Sequence, residues 1–126
     1  MKRFTFSHKE RIHNHTEFIS VYKKGDKKES AHFKISLLQN KLSWRRLGVT
    51  VSKRVGKSVQ RNYIKRRLRE YFRVHKYYLP ESCDIVITAK KGAHRLTYHQ
   101  MCCELNGIFG RDSVDPSEEH CLRRNR

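Results

Sequence analysis

The segment from Ser58 to Lys76 constrains the fold of this chain most tightly, because only an α-helix gives all its residues a consistent use. Ile64, Leu68, Tyr71 and Phe72 recur on one side of a 3.6-residue period, the pattern of a helix that buries a stripe. Arg61, Lys65, Arg69 and Arg73 form an i, i+4 series beside that stripe, and Asn62 and Arg66 form a second. Anchored through its apolar side, such a helix presents a cation roughly every 6 Å, close to one per helical turn. That interval is comparable to the distance between successive phosphates of an RNA strand. Like charges stacked at i, i+4 destabilise an isolated helix by about 0.2–0.5 kcal/mol per pair. Glu70 relieves part of this by pairing with Arg66 or Arg73. A merely solvated face alternates its signs, and this one barely does. Asn62 adds an amide that donates and accepts, suited to a sugar, a base or water.

The rest of the chain carries the same sign. Lys and Arg number 29 against 12 Asp and Glu, a formal net charge of +17 over 126 residues. Self-repulsion of that size opposes compaction unless counterions or a polyanion neutralise it. Contact with phosphates also releases condensed counterions, so the composition points to nucleic acid. A membrane surface is the other polyanion, but no apolar run is long enough to span one. The opening MKRFTFSHKERIH has no apolar core and is not a secretory signal, so a cytoplasmic location is expected. Cys83, Cys102, Cys103 and Cys121 form no C-x-x-C pair, and His13 and His15 have no matching ligand pair at a diagnostic spacing. Reduced thiols and no protein-bound metal or cofactor are therefore expected.

Along the chain, residues 1 to about 13 are basic and aperiodic and read as a flexible arm. Thr16 is placed to cap a short helix carrying Phe18, Val21 and Tyr22, with Gly25 as its stop. Asp26 to Ala31 reads as a charged turn with room for a short strand. His32 to Leu38 alternates, with Phe33, Ile35 and Leu37 on one face and Lys34 and Ser36 on the other. Leu47, Val49 and Val51 alternate again, and the two runs are expected to pair antiparallel with one buried face. Gly56 interrupts, and Ser58 is placed to cap the basic helix. Asp84 to Ala89 (DIVITA) is a third clear strand, and Thr97 caps a last helix to Phe109 that Gly110 ends. Residues 111–126 have no apolar stripe and read as a disordered tail. The expectation is one α+β domain over residues 14–110, an αβββαβα sandwich with a mainly antiparallel sheet packed by helices. Phe18 and Tyr22 share one face of the first helix and admit two readings, core residues or an exposed platform for stacking bases.

The stretch LGVTVSKRVGKSVQRNYIKRRLREYF resembles the signature of the bacterial ribonuclease P protein family, an Arg-Asn-x-x-Lys-Arg helix after a Leu-Gly-x-x-Val-Ser-Lys strand. Arg61, Asn62, Lys65 and Arg66 fill that core, followed by Arg69, Glu70 and Phe72. Phe18, Tyr22, Gly25, Phe33, Asp84-Ile85-Val86 and Lys90-Lys91 keep the order and spacing outside it, so the likeness runs from about residue 9 to 109. On the polar strand face, Lys34 and Ser36 stand where other members often place an aromatic. The resemblance implies a left-handed βαβ crossover, as in a domain of ribosomal protein S5, where general topology favours the right-handed one. It implies that the protein binds the catalytic RNA through Arg61, Asn62, Lys65, Arg66, Arg69 and Arg73. It also implies a cleft for the 5′ leader of precursor tRNA, formed by Phe18, Tyr22, Lys53, Arg54, Lys57, Lys90 and Lys91. Hydrolysis would belong to that RNA and its Mg2+ ions, with no catalytic residue and no obligate protein partner on this side. Consistent with that division, the acids are scattered, whereas a two-metal nuclease needs a carboxylate cluster. A structural protein of ribosomal RNA is the alternative reading. A helix-turn-helix DNA binder needs a helix where this chain has a strand before the basic helix.

Overall fold

The computed structural model of the chain describes residues 8–109, and seven elements within them follow the expected order. These are α1 (His15–Lys24), β1 (Asp26–Glu29), β2 (Phe33–Gln39), β3 (Arg46–Val51), α2 (Ser58–His75), β4 (Cys83–Ala89) and α3 (Tyr98–Ile108). The tail expected over residues 111–126, the Gly110 stop and the first residues of the arm lie outside the described residues.

The two alternating runs do not pair with each other. The sheet order is β1-β2-β4-β3, so β4 lies between them, antiparallel to β2 and parallel to β3. The reason is visible in β4 itself. Ile85, Val86 and Ile87 are apolar on both faces, and a strand of that kind gains most from a central position covered on both sides. Parallel neighbours need a crossover, and α2 supplies it between β3 and β4.

Both faces of the sheet are covered. Phe33, Ile35, Leu47, Ile85 and Ile87 pack with Ile64, Leu68, Tyr71 and Phe72 of α2 and with Met101 and Leu105 of α3. The opposite face, expected to be polar, is covered by α1. Val21 and Ile12 pack on Val86 there, with Phe18 and Leu38 against them, and Ser36 is buried as well. The charged turn after α1 forms the exposed strand β1, whose Asp26, Lys27, Lys28 and Glu29 blunt the sheet edge.

Residues 8–13 are not part of a free arm. His8–Glu10 makes a 3-10 turn, and Ile12 N–H donates to the Leu47 carbonyl at 3.0 Å along the other edge of the sheet. Glu10 is buried against Lys76, with 2.6 Å between carboxylate and ammonium. Two caps also move. Asn14, not Thr16, caps α1, its side-chain oxygen accepting from Thr16 N–H at 2.8 Å. Lys57, not Ser58, occupies the cap of α2, where Gln60 Oε1 accepts from Lys57 N–H at 2.9 Å. Gly25 does end α1, but in extended backbone with φ −75°. A Cβ there would lie 2.6 Å from the carbonyl oxygens of both Val21 and Leu37, so close approach to β2 demands the glycine. Thr97 caps α3 as expected, accepting from Gln100 N–H at 3.1 Å.

Candidate nucleic-acid interface

Where α1 crosses the sheet it leaves a cleft of about 260 Å3, lined by Phe18, Ile19 and Tyr22 from the helix and by Thr50, Val86 and Thr88 from the strands. The strand period puts Thr50, Val86 and Thr88 on this face, because their neighbours Val49, Ile85, Ile87 and Val51 point into the α2 side. Thr50 and Thr88 are cross-strand partners whose hydroxyls are 2.8 Å apart. Phe18 is half-buried, and its ring rests on Gly48, where a Cβ would come within 2.4 Å of the ring. Tyr22 keeps 47% of its surface exposed, and the ammonium groups of Lys27 and Lys34 lie 5.2 and 5.5 Å from its ring centroid. Tyr22 is thus a surface ring in a basic setting, while Phe18 is partly a packing residue.

Arg46 holds α1 over the sheet. Its guanidinium makes a two-pronged contact with Asp84 of β4 at 2.8 and 2.7 Å and reaches Glu17 of α1 at 3.0 Å. The hydrogen bond to Asp84, opposed by burial and supported by Glu17, raises the Arg46 guanidinium above its ordinary range. Asn40 donates to the same Asp84 oxygen at 2.8 Å, so the carboxylate is well satisfied.

The basic side of α2 takes the form expected. Asn62, Arg66 and Arg69 are exposed, and Arg61 and Lys65 are half-buried beside the core stripe. Arg61 is steadied by donating to the Gly56 carbonyl and to Ser58 Oγ, at 3.2 and 3.0 Å. Arg73 pairs with Glu70 at 2.6 Å, which holds the Glu70 carboxyl below its usual range and leaves the far end of the ridge less cationic. Arg11, from the segment beside β3, adds a cation that the sequence did not place here. Partial desolvation by its neighbours and then the charge of Arg11 lower the Arg69 guanidinium. The period of α2 could not reveal Arg11, because it comes from the far end of the chain. Arg67 lies off the ridge, its guanidinium 5.3 and 6.0 Å from the rings of Tyr63 and Tyr98.

The expected cleft lysines separate from the cleft. Lys53 and Arg54 sit in a 3-10 turn after β3, Lys57 at the start of α2, and Lys90 and Lys91 just after β4. Because β3 and β4 are parallel, all five gather at one end of the sheet, but none lines the cavity beside Phe18 and Tyr22. Lys90 is drawn to the edge strand, pairing with Glu29 and donating to the Ser30 carbonyl at 2.8 Å. Its hydrogen bond lowers the Glu29 carboxyl. Ile19, Lys27, Lys34, Thr50 and Thr88 take the lining and rim positions instead. The threonines could have been found as the off-core positions of their strands, had the β3–β4 pairing been known.

Among the described residues, no three His, Cys, Asp or Glu side chains converge into a group that could hold a metal ion. Among the described residues, Cys83, Cys102 and Cys103 form no disulfide. Among the described residues no helix is long and apolar enough to cross a membrane.

A family model described as Ribonuclease P matches residues 6–112. The chain is 36% identical over 119 residues to the ribonuclease P protein component of Syntrophus aciditrophicus, covering 94% of this chain and all of that one. It is 43% identical over 111 residues to that of Citrifermentans bemidjiense, covering 88% of this chain and 95% of the other. Among solved structures, the RNase P protein of Staphylococcus aureus superposes with a TM-score of 0.75 at 35% identity, over 80% of this chain and 93% of that one. The RNase P protein of Thermotoga maritima superposes with a TM-score of 0.74 at 28% identity, over 83% and 99%.

Proposed function

Because the chain belongs to the ribonuclease P protein family, we propose that it is the subunit that binds the catalytic ribonuclease P RNA and the 5′ leader of precursor tRNA. It serves leader removal in tRNA 5′ maturation, in the cytoplasm. Mg2+ ions held by the RNA supply the metal chemistry, and this chain contributes binding and orientation. Arg61, Lys65, Arg66 and Arg69 of α2, with Arg11 beside them, meet the phosphates of the folded RNA. Asn62 reads a sugar or base edge from the same face.

The leader lies in the cleft between α1 and the sheet. A base stacks on Tyr22 next to Phe18, and the Thr50 and Thr88 hydroxyls meet polar edges. Stacking accepts any base, which suits a substrate whose leader differs from one tRNA to the next. Lys27 and Lys34 at the cleft, and Lys53, Arg54, Lys57 and Lys91 at its end of the sheet, attract the backbone. The observation that carries this reading is the exposed Tyr22 ring at the mouth of a cleft, flanked by two ammonium groups. Reconstitution tests it. Mixed with a ribonuclease P RNA, the protein should restore leader cleavage of precursor tRNA at a Mg2+ level where the RNA alone is slow. Absence of any stimulation would overturn the reading.

A further inference from the structure

At the opposite end of the sheet, where β2 ends and β3 and β4 begin, lies a second concavity of about 550 Å3. Its walls are Lys9 and Glu10 of the first 3-10 turn, Trp44 and Arg45 ahead of β3, and Lys76 and Tyr77 after α2. Its volume is about twice that of the α1 cleft and falls in the ~300–1,000 Å3 range of small-molecule sites. The function proposed above makes no use of it.

The walls are held in place from several sides. The Trp44 indole N–H donates to the Lys9 carbonyl at 2.8 Å, and the Lys9 ammonium lies 5.0 Å from that ring. Arg45 is buried, its Nε donates to the Pro80 carbonyl at 3.3 Å, and its guanidinium is 5.9 Å from the Tyr77 ring. Lys76 answers Glu10 while standing 5.4 Å from Tyr77. An indole, a phenol and a planar guanidinium around one space suit a flat heteroaromatic ring. The acids do not cancel the cations. Among the described residues of its walls, the cations Lys9, Arg45 and Lys76 outnumber the acids Glu10 and Glu81. Stacking surfaces together with a surplus cation describe a nucleotide better than a neutral aromatic compound.

We propose that this pocket binds one unpaired nucleotide of RNA, its base against Trp44 and Tyr77 and its phosphate toward Lys9 and Arg45. It shares with the function proposed above only the premise that single-stranded RNA is bound. Arg45 and the cleft residue Thr50 are five residues apart along the chain, roughly 16 Å at ~3.3 Å per strand residue. Pocket and cleft therefore take different nucleotides.

Trp44 is the sole tryptophan of the chain, so its emission reports on this pocket. The full chain is titrated with an end-labelled, unstructured oligoribonucleotide carrying one 4-thiouridine, and label anisotropy and tryptophan emission are read together. Trp44 emission should be quenched in step with anisotropy, and ultraviolet crosslinking should attach the probe to the peptides holding Trp44 or Tyr77. Tyr77→Ala and Arg45→Gln should each weaken the quenching titration roughly fivefold or more, with folding checked by circular dichroism. Tyr22→Ala should leave the pocket crosslink in place. Saturated anisotropy with unchanged Trp44 emission and no crosslink to either peptide would overturn the pocket and spare the proposed function. No anisotropy change would overturn both. With the photolabel placed in the leader of a precursor tRNA or in ribonuclease P RNA, a crosslink in one complex identifies which RNA supplies the nucleotide. A crosslink in neither refutes the proposal.

Discussion

Phe18 rests its ring on Gly48, whereas Tyr22, one turn further along α1, keeps nearly half of its surface in solvent. The two residues that the sequence could only treat together therefore separate in experiment. Tyr22→Ala should change the melting temperature little, since substitutions at exposed positions usually fall within about 0.5 kcal/mol. It should reduce affinity for leader-bearing precursor relative to mature tRNA, by the ~1–3 kcal/mol of one stacked base. Tyr22→Phe keeps the ring and should restore the ratio. Phe18→Ala should lower both stability and leader affinity, because it removes packing as well as a cleft wall. Thermal unfolding and competition binding on the same proteins check this, and a wild-type ratio in Tyr22→Ala would refute the platform. Arg46 allows a similar separation. Arg46→Met strands the buried Asp84 carboxylate and should cost about 3–5 kcal/mol in denaturant unfolding. Glu17→Gln loses only the more exposed partner and should cost less than about 1 kcal/mol.

At the scale of elements, α2 gives one side to the core and another to the interface proposed for RNA. Its buried stripe carries stability, so the cationic side can be changed without unfolding the helix. Arg61, Lys65 and Arg66 replaced together by Ala should lower RNA affinity and flatten its salt dependence, by up to ~0.7–0.9 in log–log slope for each phosphate left without its cation. An unchanged slope would show that these cations do not meet phosphate. The other junction between elements joins α3 to the turn between β1 and β2. Glu104 accepts from the His32 backbone N–H at 2.7 Å, lies 2.9 Å from His32 Nδ1 and also bonds Ser30 Oγ. Burial opposes its charge, but the hydrogen bonds from Ser30 and His32 outweigh it and hold the carboxyl below its usual range. A carboxyl depressed in the folded state binds fewer protons there than when unfolded. Its stabilisation is therefore present above the ordinary glutamate value near ~4.3 and is lost as pH falls through the lower folded value. Melting temperature followed from neutral to acid pH should fall less steeply for Glu104→Gln than for the parent, starting from a lower value at neutral pH.

Taken whole, the described part of the molecule engages most of its acids with its own cations and hydrogen-bond donors. Glu10 faces Lys76, Glu17 and Asp84 share Arg46, Glu29 faces Lys90 and Glu70 faces Arg73, while Glu104 accepts hydrogen bonds from Ser30 and the His32 backbone. The remaining cations dominate a surface whose chain carries +17. Carboxylates engaged in this way are poorly placed to gather metal ions for phosphodiester hydrolysis. Highly purified protein free of RNA should therefore leave precursor tRNA intact across a Mg2+ titration. Specific leader cleavage by the protein alone would contradict the assignment of the chemistry to the RNA.

Much of this architecture was readable locally. The stripe of Ile64, Leu68 and Phe72, the alternation of Phe33, Ile35 and Leu37, and the Thr97 cap each depend on residues within a few positions of one another. The ridge was readable for the same reason, since Arg61, Lys65 and Arg69 belong to one helix. Pairing between distant segments was not. The apolar β4 displaced the expected β2–β3 pair, and that exchange set which threonines face α1. Residues 8–12 docked along β3 and brought Arg11 to Arg69. Lys90 was drawn to Glu29, a residue 61 positions earlier in the chain. A periodic pattern records which side of an element is buried. Which neighbour buries it depends on contacts between segments far apart in the chain, and only the assembled tertiary structure decides them.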